Sequence, residues 1–105
     1  MHIKVNTDRH IQGDERLKEA VRALVAQGLG HTLDRLTRAE VHLQDENGQK
    51  GGGDDIRCMI EARPQGRDPL TATHNDADVE AAARGAARKL RAALDSEFGK
   101  ADRRR

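Results

Sequence analysis

Few side chains in this 105-residue chain are able to do chemistry. Five are histidines: His2, His10, His31, His42 and His74. No two stand four residues apart, the spacing that puts two imidazoles on one helix face for a metal. By strand parity His2 and His42 project from an open sheet face, near each other if their strands are neighbours, and a solvated pair is the expectation. His74 falls on an inward position at a strand end, where one hydrogen bond satisfies it. Cys58 is the only cysteine, which excludes an intrachain disulfide and a cysteine-built zinc site. Its place among alternating apolar residues reads as a buried small hydrophobe and not a nucleophile. The segment from Asp45-Glu46-Asn47-Gly48 to Asp54-Asp55 is rich in oxygen ligands but lacks the alternate spacing and closing Glu of an EF-hand loop. It reads as an acidic hairpin loop. The run Gly51-Gly52-Gly53 leads into a strand, so no helix N-terminus follows it to cradle a phosphate. The expectation is a protein with no catalytic residue, no metal and no cofactor.

What remains is guanidinium. Arg84, Arg88 and Arg91 stand at i, i+4 and i+7, one helical stripe, with Lys89 beside it and Lys100 and Arg103 to Arg105 prolonging it. Arg16, Lys18 and Arg22 decorate an earlier helical segment, with Arg35 and Arg38 at its far end. Cations so spaced meet successive phosphates, and each guanidinium can hold one through two bonds. Phe98 is the single aromatic, so stacking on bases is not available and RNA would be met through phosphates, sugars and shape. The plain alternative is a solvated helix face on which Glu80 and Asp95 offset Arg84 and Arg91.

Charge distribution sharpens the choice. The chain carries 19 basic and 18 acidic side chains, a net of +1. Residues 1–78 hold 11 basic and 14 acidic groups, and residues 79–105 hold 8 and 4, so the last quarter is basic on a mildly acidic body.

These residues need elements to position them. Ile3 and Val5 alternate with His2, Lys4 and Asn6 as in a half-buried strand. Asp14 then stands where a helix N-cap belongs, with Glu15 in the first turn. Leu17, Ala20, Val21, Leu24 and Val25 follow at helical spacing, and Leu29, Leu33 and Leu36 extend the stripe across Gly28 and Gly30, where the helix bends, frays or restarts. Two further strands show the same alternation, Ala39–Gln44 and Ile56–Arg63. A turn at Pro64–Pro69 leads to a fourth, Leu70–His74. A last helix starts between Asn75 and Asp78 and buries Val79, Ala82, Ala83, Ala86, Leu90, Ala93 and Leu94. The expected fold is therefore α+β, in the order β-α-β-β-β-α, with two helices packed on one face of a four-stranded sheet and water on the other. One domain is expected over residues 1–98, followed by a basic tail at 99–105. No apolar run reaches the roughly 18 residues of a spanning helix. The Met1-His2-Ile3-Lys4 start lacks a secretory signal, so a cytoplasmic protein is expected.

The element order, the Asp14-Glu15-Arg16-Leu17 helix start and the stretch Asp78-Val79-Glu80-Ala81-Ala82-Ala83 followed by Lys89-Leu90 and Leu94 together resemble the ribosome hibernation promoting factors. This family is also called ribosome-associated inhibitor or sigma-54 modulation proteins. The resemblance spans nearly the whole chain and implies the short form, without the dimerising domain of long members. It implies a non-catalytic stress or stationary-phase factor that occupies the messenger and transfer RNA channel of the small ribosomal subunit and inhibits translation. Its partners would be that subunit and its ribosomal RNA, with no membrane, and the protein would be a monomer or weak homodimer. Lys89 matches the family motif most clearly, and the other expected RNA contacts are Arg84, Arg88, Arg91, Arg16, Lys18, Arg22, Arg35 and Arg38. Two features depart from the family pattern: Val25 to Thr32 carries no cation, and the net charge is close to zero. The alternative is a diverged scaffold that binds a protein partner or another structured RNA, for which the open sheet face is one available surface.

Overall fold

A computed structural model describes residues 2–9, 11, 13–46 and 56–103. His10, the greater part of the acidic loop including Gly51–Gly53, Asp54 and Asp55, and Arg104 and Arg105 lie outside the described residues.

Strand β1 (His2–Thr7) leads to helix α1 (Glu15–Leu29), and a short 3-10 stretch (Gly30–Arg35) joins it to β2 (Leu36–Asp45). Strands β3 (Ile56–Pro64) and β4 (Leu70–Asp76) and the long helix α2 (Val79–Arg103) complete the chain. The sheet order is β1-β2-β3-β4. β1 runs parallel to β2, as a strand–helix–strand crossover requires, while β2–β3 and β3–β4 are antiparallel. The expected α+β architecture is observed, with a mixed sheet.

Strand parity sorts the two faces as expected. Val5, Ala39, Val41, Leu43, Cys58, Ile60 and Ala62 are buried under the helices. The outer face carries rows set by the register: His2, Arg38 and Arg63 in the first, then Lys4, Glu40, Glu61 and Thr71, then Asn6, His42, Met59 and Thr73. His2 and His42 therefore sit on neighbouring strands but in different rows, His2 opposite Arg38 and His42 opposite Asn6.

Each helix starts on the cap expected of it. The Asp14 carboxylate accepts the Leu17 amide at 2.8 Å and the Asp78 carboxylate accepts that of Ala81 at 2.8 Å. The apolar stripe of α1 ends earlier than the spacing of Leu33 and Leu36 suggests. Gly30 takes φ 55° and its amide returns to the Ala26 carbonyl, which closes the helix at Leu29. Thr32, buried just beyond, donates its hydroxyl to the Leu29 carbonyl and satisfies a group left open by the helix end. Leu36 accordingly opens β2 while still reaching the same core.

Four alanines of α2, at 82, 83, 86 and 87, are fully buried and let it lie close to both the sheet and α1. The two helices run in the same direction. Leu17 near the start of α1 shares a groove with Val79 and Arg84 of α2, and Gly28 near its end lies against Ala87. Leu90, Leu94 and Phe98 complete the core. Helix α2 then continues past Phe98 to Arg103, and the molecule is 52 Å long by 25 and 20 Å across.

Cys58 has no exposed surface, and burial pushes its thiol up to about 12. At about pH 8 a thiol reagent should modify the native protein at least about three orders of magnitude more slowly than the urea-unfolded chain. Comparable rates in the two states would place Cys58 outside the core.

Candidate nucleic-acid interface

The expected cations separate into two kinds once the fold places them. Arg84 and Arg88 are exposed on the outer side of α2, one turn apart. Neither has a hydrogen bond or ion pair among the described residues. Arg91 continues the stripe but leans toward the end of α1. Its guanidinium lies 3.6 Å from the Asp95 carboxylate and donates to Nδ1 of His31 at 3.2 Å, while His31 Nε2 faces Asp95 at 3.3 Å. A Cβ added at Gly30 would stand 2.9 Å from that guanidinium, so the glycine that ends α1 also makes room for Arg91.

Lys89 points the other way. Its ammonium donates to the Thr73 carbonyl at 3.3 Å, on the outermost strand β4. Arg22 does the same at the opposite edge, donating to the Ile3 carbonyl of β1 at 3.1 Å and pairing with Glu19 at 3.0 Å. Each helix thus lays one cation over the nearer sheet edge, where backbone groups would otherwise be open to pairing with another chain. Lys18 lies one turn before Arg22 on the same side of α1, and Arg16 is exposed; neither has a partner among the described residues.

Arg35 and Arg38 belong to a different region. The Arg35 guanidinium lies 3.8 Å from the centre of the Phe98 ring, a cation–π contact at the end of α2. Arg38 is on the outer sheet face, bonded to Glu40 at 3.0 Å. That bond, assisted by the charges of His42 and Lys4, holds the Glu40 carboxyl below the usual carboxylate range despite some desolvation. The nine expected positions therefore do not form one stripe. Arg84 and Arg88 are unengaged on α2, Arg16 and Lys18 are unengaged on α1, and the other five make contacts within the fold. Arg63 and Arg67 enter this picture only through the structure. Arg63 stands directly opposite Arg38 in the β2–β3 register, and Arg67 reaches Phe98 at 5.3 Å.

Among the described residues no group of three or more His, Cys, Asp or Glu converges. His74 packs on Gly85, where an added Cβ would meet its ring, and its Nε2 lies 3.1 Å from Asp76. The Ala77 amide and then His74 lower the Asp76 carboxyl below its ordinary value. The clefts are shallow. One of about 530 Å³ between the starts of the two helices is lined by Leu17, Val79 and Ala81 with Asp78, Glu80 and Arg84. No described helix is long and apolar enough to cross a membrane.

No curated protein matches the chain in sequence. Solved structures match it in fold. A ribosomal subunit interface protein from Coxiella burnetii superposes with a TM-score of 0.77 at 12% identity, over 94% of this chain and 99% of that one. The N-terminal domain of Protein Y from Thermus thermophilus gives 0.68 at 22% identity, over 90% and 96%. The family model for sigma 54 modulation protein / S30EA ribosomal protein matches residues 5–101. With nearly every described element inside that match, the chain belongs to the sigma 54 modulation protein / S30EA ribosomal protein family.

Proposed function

We propose that this protein binds the small ribosomal subunit through the phosphates of its RNA and occupies the path of messenger and transfer RNA, holding translation off under stress. The reading is non-catalytic and cytoplasmic. The observation that carries it is the pair Arg84 and Arg88, two exposed guanidinium groups one turn apart with no partner among the described residues, on the scaffold of a ribosome-associated family. An unengaged guanidinium gives up no internal bond to take a phosphate, and neighbours on one helix turn reach adjacent phosphates. Arg16 and Lys18 supply further charge from α1. Arg91 joins by exchanging Asp95 for a phosphate. Lys89, Arg22, Arg35 and Arg38 act first within the fold and add to the field around the site.

A protein partner on the open sheet face has less to support it. Met59 is the sole large apolar side chain among its described residues and is itself half-buried. An adhesive surface needs a wider apolar patch.

A reconstituted translation reaction tests the proposal. Protein added at about one copy per small subunit should stop initiation, and excess transfer RNA should relieve the block. Full translation at about tenfold excess, with the protein still bound to the subunit, would place it away from the channel.

A further inference from the structure

The four arginines at 35, 38, 63 and 67 come from two separate stretches of chain, yet they gather at one end of the sheet. The β2–β3 register sets Arg38 against Arg63, and the turn after β3 brings Arg67 to the Phe98 ring that Arg35 covers. This is also the end where both helices finish, because Gly30 closes α1 beside Arg91 and Phe98 lies in the last turns of α2. The opposite end carries the caps Asp14 and Asp78, the first-turn Glu15 and Glu80, and Asp45 and Glu46 where β2 finishes, with Arg16, Lys18 and Arg84 in the first turns of the helices.

Attraction to the negative helix ends accounts for cations near Arg35, but it does not reach the outer sheet face. There Arg38 and Arg63 are directly opposed like charges, an arrangement that destabilises a sheet. Arg38 is relieved by Glu40 at 3.0 Å, whereas Arg63 has no partner among the described residues. Beside Arg63 a cleft of about 390 Å³ runs between the start of β2 and the β3–β4 turn, lined by Thr37, Arg63, Pro64, Gly66, Arg67 and Asp68. Arg67 is oriented on that rim. It lies against the Phe98 ring, donates to the Glu97 carbonyl at 3.3 Å and stands 3.7 Å from the Glu97 carboxylate. A guanidinium held by ring contact keeps in-plane N–H groups for an anion and loses little freedom on binding one. Asp68 on the same rim and Glu97 beside Arg67 oppose an anion, so Arg67 takes a phosphate by exchanging Glu97, whereas Arg63, unpartnered among the described residues, gives up no internal bond.

We propose that this arginine end is a second phosphodiester site, in which Arg63 and Arg67 hold one RNA backbone phosphate in the cleft while Arg35 and Arg38 add to its field. It is separate from the α2 surface, so the protein would touch RNA at two places along its length. The occupant is the backbone of RNA, recognised by charge and spacing and without base readout.

Binding to a short RNA duplex, followed by fluorescence anisotropy over a series of salt concentrations, tests this without the ribosome. Arg63→Gln should raise Kd about fivefold to tenfold and flatten the slope of log K against log salt by about 0.9, the value for one phosphate contact. Its melting temperature should be unchanged or higher, since the opposed charge at Arg38 is relieved. Arg63→Gln with Arg67→Gln should flatten the slope further. Unchanged Kd and slope in both variants would overturn the second site. That result would leave the ribosome reading intact if Arg84→Glu with Arg88→Glu still abolished subunit binding. Conversely, a flattened slope on duplex RNA would support the site even if the protein ignored ribosomal subunits.

Discussion

Replacing Arg84 and Arg88 together by glutamate should lower affinity for the small ribosomal subunit by at least about three orders of magnitude at moderate salt. Two phosphate contacts are lost and two repulsive charges take their place. Each lost contact alone costs roughly fivefold to tenfold at moderate salt, and turning each cation into an anion costs about as much again per site. The fold should be untouched, because both side chains are exposed and bonded to nothing among the described residues. An unchanged melting curve with abolished binding is therefore the expected pair of results. The control is Lys89→Gln. Its ammonium lies on the Thr73 carbonyl, so it should lower affinity far less and act mainly on the stability of the β4 edge. If Lys89→Gln abolished binding and the double reversal did not, the RNA surface would lie on the β4 side of α2.

The largest effect on stability is expected at the helix–helix seam. A Cβ built on Gly28 would stand 2.7 Å from the Cβ of Ala87, closer than two carbons pack. Gly28→Leu forces α1 and α2 apart over a core whose α2 side is largely alanine, so no large side chain can rearrange to fill the gap. Overpacking of this kind costs about 3 kcal/mol, which for a domain of this size lowers the melting temperature by roughly 10–20 °C. Gly28→Ala is milder, since about 1 kcal/mol of helix propensity offsets part of the clash. Adding Ala87→Gly to Gly28→Ala should recover stability beyond the sum of the single changes, the mark of two residues in contact. Additive effects would mean that the helices do not meet at this pair. At low temperature Gly28→Leu should still bind the subunit, because Arg84 and Arg88 both belong to α2 and keep their spacing on one helix.

Much of this arrangement is legible in the sequence, for reasons that differ by residue. Alternation puts Val41, Leu43, Cys58, Ile60 and Ala62 inside, and they are inside, because a strand under a helical layer has one dry face. Asp14 and Asp78 mark helix starts because a side chain that accepts an amide there has a purely local cause. The end of α1 is less legible. Leu33 and Leu36 keep helical spacing with Leu29, and periodicity alone does not report that Gly30 turns to positive φ and sends Leu36 into a strand. Stripe membership has the same weakness. Arg22 and Lys89 look like their neighbours on a helical projection, but the sheet edge lies within reach of each and takes up its charge. Nothing local links Arg63 and Arg67 with Arg35 and Arg38. They meet through strand register and through a single phenylalanine more than 30 residues from either of Arg35 and Arg67. The near-neutral total charge is equally misleading, since it does not report which cations are taken up within the fold and which, like Arg84, Arg88 and Arg63, have no partner among the described residues.

Unengaged arginines on α2 are proposed to bring this chain to the small ribosomal subunit. Sedimentation of the unmodified protein with separated large and small subunits, at low and at moderate salt, tests this proposal most directly. The protein should pellet with the small subunit at about one copy each, transfer RNA should displace it, and rising salt should weaken binding steeply. Failure to pellet with the small subunit even at low salt, or equal pelleting with both subunits, would contradict the proposal.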